Sequence, residues 1–71
     1  MINKQLMCFL HTLTVDFRRH TAMIMVDGYP DFMGTIEMIT NIDPEVRCIV
    51  VKDHITQETI NDYRKIKGVW G

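Results

Sequence analysis

The alternation of apolar and polar positions predicts a first strand near the start of the chain. Leu13, Val15 and Phe17 alternate with polar residues, which is typical of a strand with one buried face. Apolar positions in the same stretch, beginning with Ile2, also fit a helical spacing. The β-branched residues at positions 12, 14 and 15 favour a strand over residues 9–17.

The next apolar run, residues 22–26, fits two structures. It is short enough for a buried strand, and it also fits a helix over residues 17–27 that stops at Gly28. Residues 18–21 contain no Gly, Asn or Asp, which a tight hairpin prefers, and this slightly favours the helix. The residues after Gly28 form a loop in either case.

Period-two alternation returns over residues 34–42 and predicts a half-buried strand, because its even positions are mostly apolar. Asp43, Pro44 and Glu45 form a predicted turn, since proline presets the backbone angle at the second position. A more continuous apolar run over residues 46–51 then predicts a central strand, which completes a hairpin.

The pattern further predicts a C-terminal helix that begins at Thr56 and ends at Gly68. Thr56 is a suitable N-cap residue, and Gly68 supplies a left-handed stop. Ile60, Tyr63 and Ile66 recur at helical spacing and would face the core. Basic residues near the predicted end suit the helix dipole.

Together these elements predict an α+β fold, a small antiparallel sheet of three to four strands with a C-terminal helix. The order is βαββα if residues 17–27 are helical and ββββα if they are a strand, and we favour βαββα. A chain of 71 residues forms a single small domain, 1–71, with a thin core. Domains of this size without disulfide staples often depend on a partner subunit.

The composition is that of an ordinary folded protein, with 46% apolar and 24% charged residues and a formal net charge of −1. Dedicated nucleic-acid binders usually carry a basic excess, which this charge does not show. No apolar run approaches the roughly 20 residues that span a bilayer, and the N-terminal run is too short for a signal peptide. We therefore expect a cytoplasmic protein with reduced cysteines.

Three short motifs resemble the pattern of a family of short bacterial proteins of unknown function that have an ACT-like βαββα layout: Val15-Asp16, Asp27-Gly28-Tyr29 and Ile42-Asp43-Pro44. The resemblance covers residues 12–53, and the gap between Tyr29 and Asp43 is longer here than in the family. It implies a regulatory module that binds a small ligand as a dimer. It transfers no catalytic residues.

The residues that bear chemistry do not form a recognisable catalytic or metal motif. Cys8 and His11 have a CxxH spacing, and Cys48 and His54 lie six positions apart, but no second tight pair completes a zinc site. The chain has no serine and no glycine-rich phosphate loop. We therefore predict no enzymatic activity and no cofactor.

Two groups of residues are candidates for binding. Aromatic and methionine side chains in a loop and in the C-terminal tail are typical of protein interfaces; they are Tyr29, Phe32, Met33 and Trp70. Two cationic clusters are candidates for nucleic-acid contacts, because Arg and Lys could hold phosphates while Trp70 or Tyr63 stacks a base; they are Arg18, Arg19 and His20, and, with Trp70 close by, Arg64, Lys65 and Lys67.

The sequence thus predicts a small non-enzymatic protein that binds another macromolecule, in the first place a protein. Accessory factors and the small inhibitors or modulators made by phages act in this way, and the partner would be another protein or a second copy of the chain. The alternatives are the ACT-like regulatory module with its small ligand and an RNA- or DNA-binding accessory protein, which the balanced charge disfavours. The first prediction expects Tyr29, Phe32 and Trp70 to be exposed.

Overall fold

A computed structural model, which describes residues 8–71, shows one five-stranded mixed sheet and one helix. The strands are β1 (Phe9–Asp16), β2 (Thr21–Asp27), β3 (Cys48–Asp53), β4 (Thr59–Ile66) and β5 (Val69–Trp70), and the helix is α1 (Phe32–Ile42). The order of strands in the sheet follows the chain, β1-β2-β3-β4-β5. Each strand therefore lies beside its neighbour in sequence.

The helix α1 joins the two parallel strands of the sheet. β2 and β3 pair in parallel, with Thr21 opposite Cys48 and Ile24 opposite Val51, whereas the other neighbouring strands pair antiparallel. Parallel neighbours need a crossover of a dozen or more residues, and α1 with its flanking loops provides it. The helix consequently packs against the middle of the sheet.

The core lies between α1 and one face of the sheet. Ile39 of the helix packs with Ile24 of β2 and with Ile49 and Val51 of β3, and all four are fully buried. The inward residues alternate along each strand, as a sheet covered on one face requires. No helix among residues 8–71 has the length and apolar character needed to cross a membrane.

The predicted C-terminal helix is wrong, and with it both the βαββα and the ββββα orders. Residues 59–66 form β4, which pairs antiparallel with β3 and places Tyr63 opposite Ile49. Tyr63 is buried, but Ile66 is 66% exposed, so the helical spacing of apolar residues does not mark a buried face. Pairing with a distant strand outweighs the local helical pattern.

The predicted strand over residues 34–42 is also wrong, because this segment is α1. Thr35, Ile36 and Ile39 are buried, and their spacing places them on one side of a helix. Asp31 is the N-cap: its carboxylate accepts a hydrogen bond from the backbone N–H of Gly34 at 2.7 Å, and its backbone oxygen accepts from the Thr35 hydroxyl at 2.8 Å. The buried positions are therefore not confined to the even positions of the predicted strand, and the cap at Asp31 favours the helix.

The other predicted elements have mixed outcomes. The strand over residues 9–17 is confirmed as β1, and the strand over residues 46–51 is confirmed in its second part as β3. Residues 22–26 lie in the strand β2, so the favoured helix is wrong there. The turn at Asp43 is confirmed, because its backbone oxygen accepts a hydrogen bond from Val46 across the turn at 3.0 Å. Ile2 and the start of the N-terminal run lie outside the described residues.

Two hairpin turns are closed by the same hydrogen-bonding arrangement, which the sequence did not predict. Asp16 ends β1, and its carboxylate accepts hydrogen bonds from the backbone N–H groups of Arg18 and Arg19 at 3.0 and 3.3 Å. Four residues after Asp16, His20 takes the left-handed conformation with φ 58°. An aspartate before the loop and a left-handed residue at its end thus replace the Gly or Asn of a shorter turn.

The turn between β3 and β4 repeats this arrangement. The carboxylate of Asp53 accepts from the backbone N–H groups of Ile55 and Thr56 at 2.9 and 2.8 Å, and Gln57 has φ 64°. Thr56 therefore belongs to a turn and not to a helix N-terminus. Gly68 is left-handed as predicted, with φ 81°, but it stands in the two-residue turn that joins β4 to β5.

Candidate binding surfaces

The sheet face opposite α1, which we call the open face, is not covered by any other element among residues 8–71. The pairing register arranges its side chains in three rows across β1 to β4. The rows are Thr12, Met25 and Lys52; Thr14, Met23, Val50 and Asp62; and Asp16, Thr21, Cys48 and Arg64.

The centre of the open face is apolar and its border is charged. Met23 and Val50 lie directly opposite each other on β2 and β3, and both are half-buried although no second layer covers them. They line a shallow depression of about 380 Å³, with Asp16 and Lys52 at its border. An apolar centre with a polar rim is the usual composition of a protein interface.

Cys48 lies on the open face but is not prepared for nucleophilic chemistry. Burial first, and then the neighbouring charge of Asp62, raises the pKa of the Cys48 thiol above its ordinary value. The thiol donates a hydrogen bond to Asp62 at 3.6 Å, and Asp62 also accepts from the guanidinium of Arg64 at 3.2 Å. The thiolate is the reactive form, and the raised pKa favours the protonated thiol of Cys48 at neutral pH.

A second group of polar side chains lies where β2 and β3 end. His11 Nε2 is 2.9 Å from the carboxylate of Asp27, and the His11 ring stacks on the His54 ring at 3.4 Å with an angle of 4° between the planes. Phe9 contacts His11 edge-on at 4.7 Å. The Nδ1 atom of His54 is buried and has no hydrogen-bond partner among the described residues.

This arrangement does not support a Cys8–His11 catalytic or metal pair. Burial first, and then the charge of Asp27, raises the pKa of the Cys8 thiol, which keeps it protonated. His11 already uses Nε2 on Asp27 and one ring face on His54. Within residues 8–71, no three His, Cys, Asp or Glu side chains are placed so that they could hold a metal ion.

The two cationic clusters found in the sequence are brought together at one end of the sheet, which we call the basic end. It carries six of the seven Lys and Arg residues among residues 8–71; they are Arg18, Arg19, Arg47, Arg64, Lys65 and Lys67. The seventh, Lys52, lies near the other end of β3. Each cluster alone resembles an ordinary solvated turn or strand end, so only the sheet register shows that they meet.

Hydrogen bonds that Arg47 donates and accepts hold this end together. Its backbone N–H donates to the backbone oxygen of His20 at 2.8 Å, and its Nε donates to the backbone oxygen of Arg19 at 3.1 Å. The backbone N–H of Lys65 donates to the backbone oxygen of Arg47 at 2.9 Å. Arg47, which the sequence analysis did not single out, therefore connects both clusters.

His20 is a structural residue rather than a free cation at the basic end. Its Nδ1 is 2.8 Å from the carboxylate of Asp43, and its Nε2 is 3.7 Å from that of Glu45. Asp43 is only 4% exposed, and the hydrogen bond from His20 is the main cause that lowers the pKa of this carboxyl. The pair ties the β1–β2 turn to the loop that follows α1.

The four residues predicted to bind a protein do not form one surface. Tyr29 and Met33 are 74% and 53% exposed, as an interface role requires. Phe32 and Trp70 are instead half-buried: Phe32 packs edge-on against Tyr63 at 4.9 Å. The expected exposure therefore holds for Tyr29 and is wrong for Phe32 and Trp70.

Trp70 lines a groove of about 370 Å³ between α1 and the β4–β5 hairpin. Lys65 Nζ lies 5.7 Å from the centroid of its ring, and Glu37 and Asn41 of α1 form the facing wall. Tyr29, Phe32 and Met33 do not line this groove, whereas Lys65 does. The groove has the size of a small-ligand site, so the small-ligand alternative stays a prediction.

The sequence analysis missed the open face, although the chain contains a signal for it. Residues 22–26 are apolar at every position, which means that both faces of β2 are apolar.

A comparison of the chain with protein-family models, with curated protein sequences and with solved structures found no match.

Proposed function

We propose that the protein is non-enzymatic and acts by binding another protein chain through the open face. The observation that carries the proposal is that α1 covers only one face of the sheet, while Met23 and Val50 form an apolar centre on the other. Exposed apolar area on a sheet of this kind gains free energy when a partner covers it. The charged border then supplies orientation and specificity.

The side chains most capable of chemistry are engaged in other ways, which supports a binding role. The thiols of Cys8 and Cys48 have raised pKa values and stay protonated. The carboxylates of Asp27 and Asp43 are bound to His11 and His20. These groups divide between the two ends of the sheet: Cys8 lies near the Asp27–His11 pair at one end, and Cys48 and the Asp43–His20 pair lie at the other.

A second copy of the chain is the occupant that best fits the charges of the open face. Asp16 and Arg64 lie in the same row, on opposite outer strands of this face. Two copies facing each other across a two-fold axis parallel to the strands would place β1 of one over β4 of the other. Asp16 of each copy would then oppose Arg64 of the other, and Met23 would oppose Val50.

Molar mass by light scattering on a size-exclusion column, over a range of protein concentrations, tests this proposal. We expect a dimer for the natural sequence and a monomer for Val50→Asp, because the new charge would be buried in the interface. Ile55→Asp is the matched control, since Ile55 is 79% exposed in the turn between β3 and β4 and lies outside the three rows of the open face. Circular dichroism of each variant establishes that it is folded.

A natural sequence that is monomeric at every concentration would exclude the second copy as the occupant. The same variants then test for a different protein in a host lysate. A partner captured by the natural sequence and by Ile55→Asp, but lost with Val50→Asp, would support the open face as the docking surface. Capture that does not distinguish the two variants would contradict the proposed function.

A further inference from the structure

We propose that the basic end is a second binding surface, which holds the phosphate backbone of a single-stranded nucleic acid. The inference goes beyond the proposed function, because it concerns the end of the sheet rather than its open face. The net charge of −1 conceals an uneven distribution of charge, with an excess of cations at one end and an excess of carboxylates at the other.

The cations of the basic end are exposed and spread along one edge. The side chain of Arg19 is 82% exposed, and Lys67 is exposed as well. They belong to the β1–β2 turn and to the β4–β5 turn, so that the edge extends from β1 to β4, or about 14 Å at the usual strand spacing. Such a row can follow successive phosphates of an extended strand, which is how non-specific single-strand binding is built.

The carboxylates at the same end only partly offset this charge. They are Asp16, Asp43, Glu45 and Asp62. Asp43 is buried against His20, and Asp16 accepts from two backbone N–H groups of its own turn. Asp62 accepts from Arg64, and Glu45 lies near His20. Glu37 of α1 also lies across the groove from Lys65. Six Lys and Arg residues therefore face five carboxylates, and the most buried of these, Asp43, is only 4% exposed.

The opposite end of the sheet has the reverse balance. Its carboxylates belong to Asp27, Asp31, Asp53 and Glu58, and Lys52 is the only Lys or Arg that the described chain places there. The field of the molecule would thus orient a polyanion towards the basic end. The expectation that a balanced net charge disfavours nucleic-acid binding applies only when the charges are spread uniformly over the molecule.

An exposed aromatic residue at the basic end favours single-stranded nucleic acid over other polyanions as the ligand. Phe17 is 58% exposed and directly precedes Arg18 and Arg19 in the β1–β2 turn. An unpaired base can stack on such a ring while the neighbouring arginines hold its phosphates, whereas a duplex hides the faces of its bases. A lipid surface or an acidic protein would gain no stacking from this pairing of residues.

Fluorescence anisotropy with a labelled single-stranded oligonucleotide of about 12 nucleotides tests the proposal. We expect binding at about 50 mM salt that weakens steeply towards 200 mM, with a slope of log affinity against log salt near −0.7 for each phosphate contacted. The double variant Arg18→Glu/Arg19→Glu should lose at least tenfold in affinity and show a shallower slope. Lys52→Glu reverses a single positive charge at the other end, half the change of the double variant, and should retain affinity.

Phe17→Ala isolates the aromatic contribution. We expect it to weaken binding of the single strand by about fivefold to a hundredfold and to leave the weaker binding of a duplex unchanged. Val50→Asp should bind the oligonucleotide as the natural sequence does, so a failure of the open-face proposal is distinguishable from a failure of this one. Circular dichroism again verifies folding.

Several outcomes would overturn the inference. One is the absence of binding at low salt, and another is an equal loss for the arginine variant and for Lys52→Glu. A third is that Phe17→Ala changes nothing. Finally, vesicles with an anionic lipid that bind with the same dependence on Arg18 and Arg19, while the oligonucleotide does not bind, would assign the basic end to a membrane surface.

Discussion

At the scale of single residues, the carboxylates of three aspartates organise the connections of this small sheet. Asp16 and Asp53 each close a hairpin turn by accepting two backbone N–H groups. Asp43 is the most buried of the three and accepts from His20 and from the backbone N–H of Glu45, at 2.8 and 3.0 Å. A buried carboxylate with these partners is stabilising while it is ionised.

We predict that Asp43→Asn lowers the free energy of unfolding, and that the effect depends on pH. The folded protein holds the pKa of Asp43 below its ordinary value of 3.8, so the ionised form stabilises the fold above that value. This contribution is lost as the pH falls through the lower pKa of the folded state. Urea unfolding at several pH values should show the full gap at about pH 5 and a smaller gap in stronger acid.

The matched control for this experiment is Glu37→Gln, which removes a carboxylate from an exposed position of α1. It should change the free energy of unfolding little at any pH. A gap for Asp43→Asn that stays constant from pH 5 into strong acid would contradict the assignment of the stabilisation to the ionised carboxylate.

At the scale of elements, the segments before and after β3 show that a local sequence pattern predicts secondary structure poorly in a domain with a thin core. Residues 34–42 alternate like a strand, and residues 56–68 have the cap and spacing of a helix. In the structure the first segment is a helix, because it crosses between two parallel strands. The second segment is mainly a strand, because it pairs with β3. In each case the partner that buries the segment decides its conformation.

We predict that Asp31→Ala destabilises the protein by about 0.5–2 kcal/mol, because α1 loses the cap on its first turn. The carboxylate of Asp31 accepts from the backbone N–H of Gly34 at 2.7 Å in the folded chain. Asp31→Ser is the matched control, since a serine hydroxyl can make the same contact. Urea unfolding of both variants measures the difference, and equal losses for Ala and Ser would show that the cap does not matter here.

At the scale of the whole molecule, the single layer of helix determines where the fold is stable. Ile24, Ile49 and Val51 are fully buried under α1, whereas β5 consists of two residues at the edge of the sheet. The same asymmetry leaves the open face without a cover. Stability and binding thus depend on opposite faces of the same two strands, β2 and β3.

We predict that native-state hydrogen exchange is slowest at the backbone amides of β2 and β3 and fastest at those of β5. The central strands open only when the core is lost, while β5 opens by local fraying. Exchange monitored by NMR residue by residue measures this order. Amides of β5 that exchange as slowly as those at Ile24 and Ile49 would contradict a core restricted to the central strands.

The sequence by itself determined the features that depend on neighbours in the chain. The strand over residues 9–17, the turn at Asp43 and the left-handed conformation of Gly68 follow from alternation, from proline and from glycine. The candidate cations and aromatic residues could also be named, because residue type alone indicates what a side chain can contact.

Only the tertiary structure decided which segments are helix and strand after Gly28 and which candidates share a surface. The register of β2, β3 and β4 places Thr21, Cys48 and Arg64 in one row, so that two distant cationic clusters meet at one end. The physical reason is that strand pairing is a long-range interaction, whose energy depends on the partner and on burial rather than on adjacent residues.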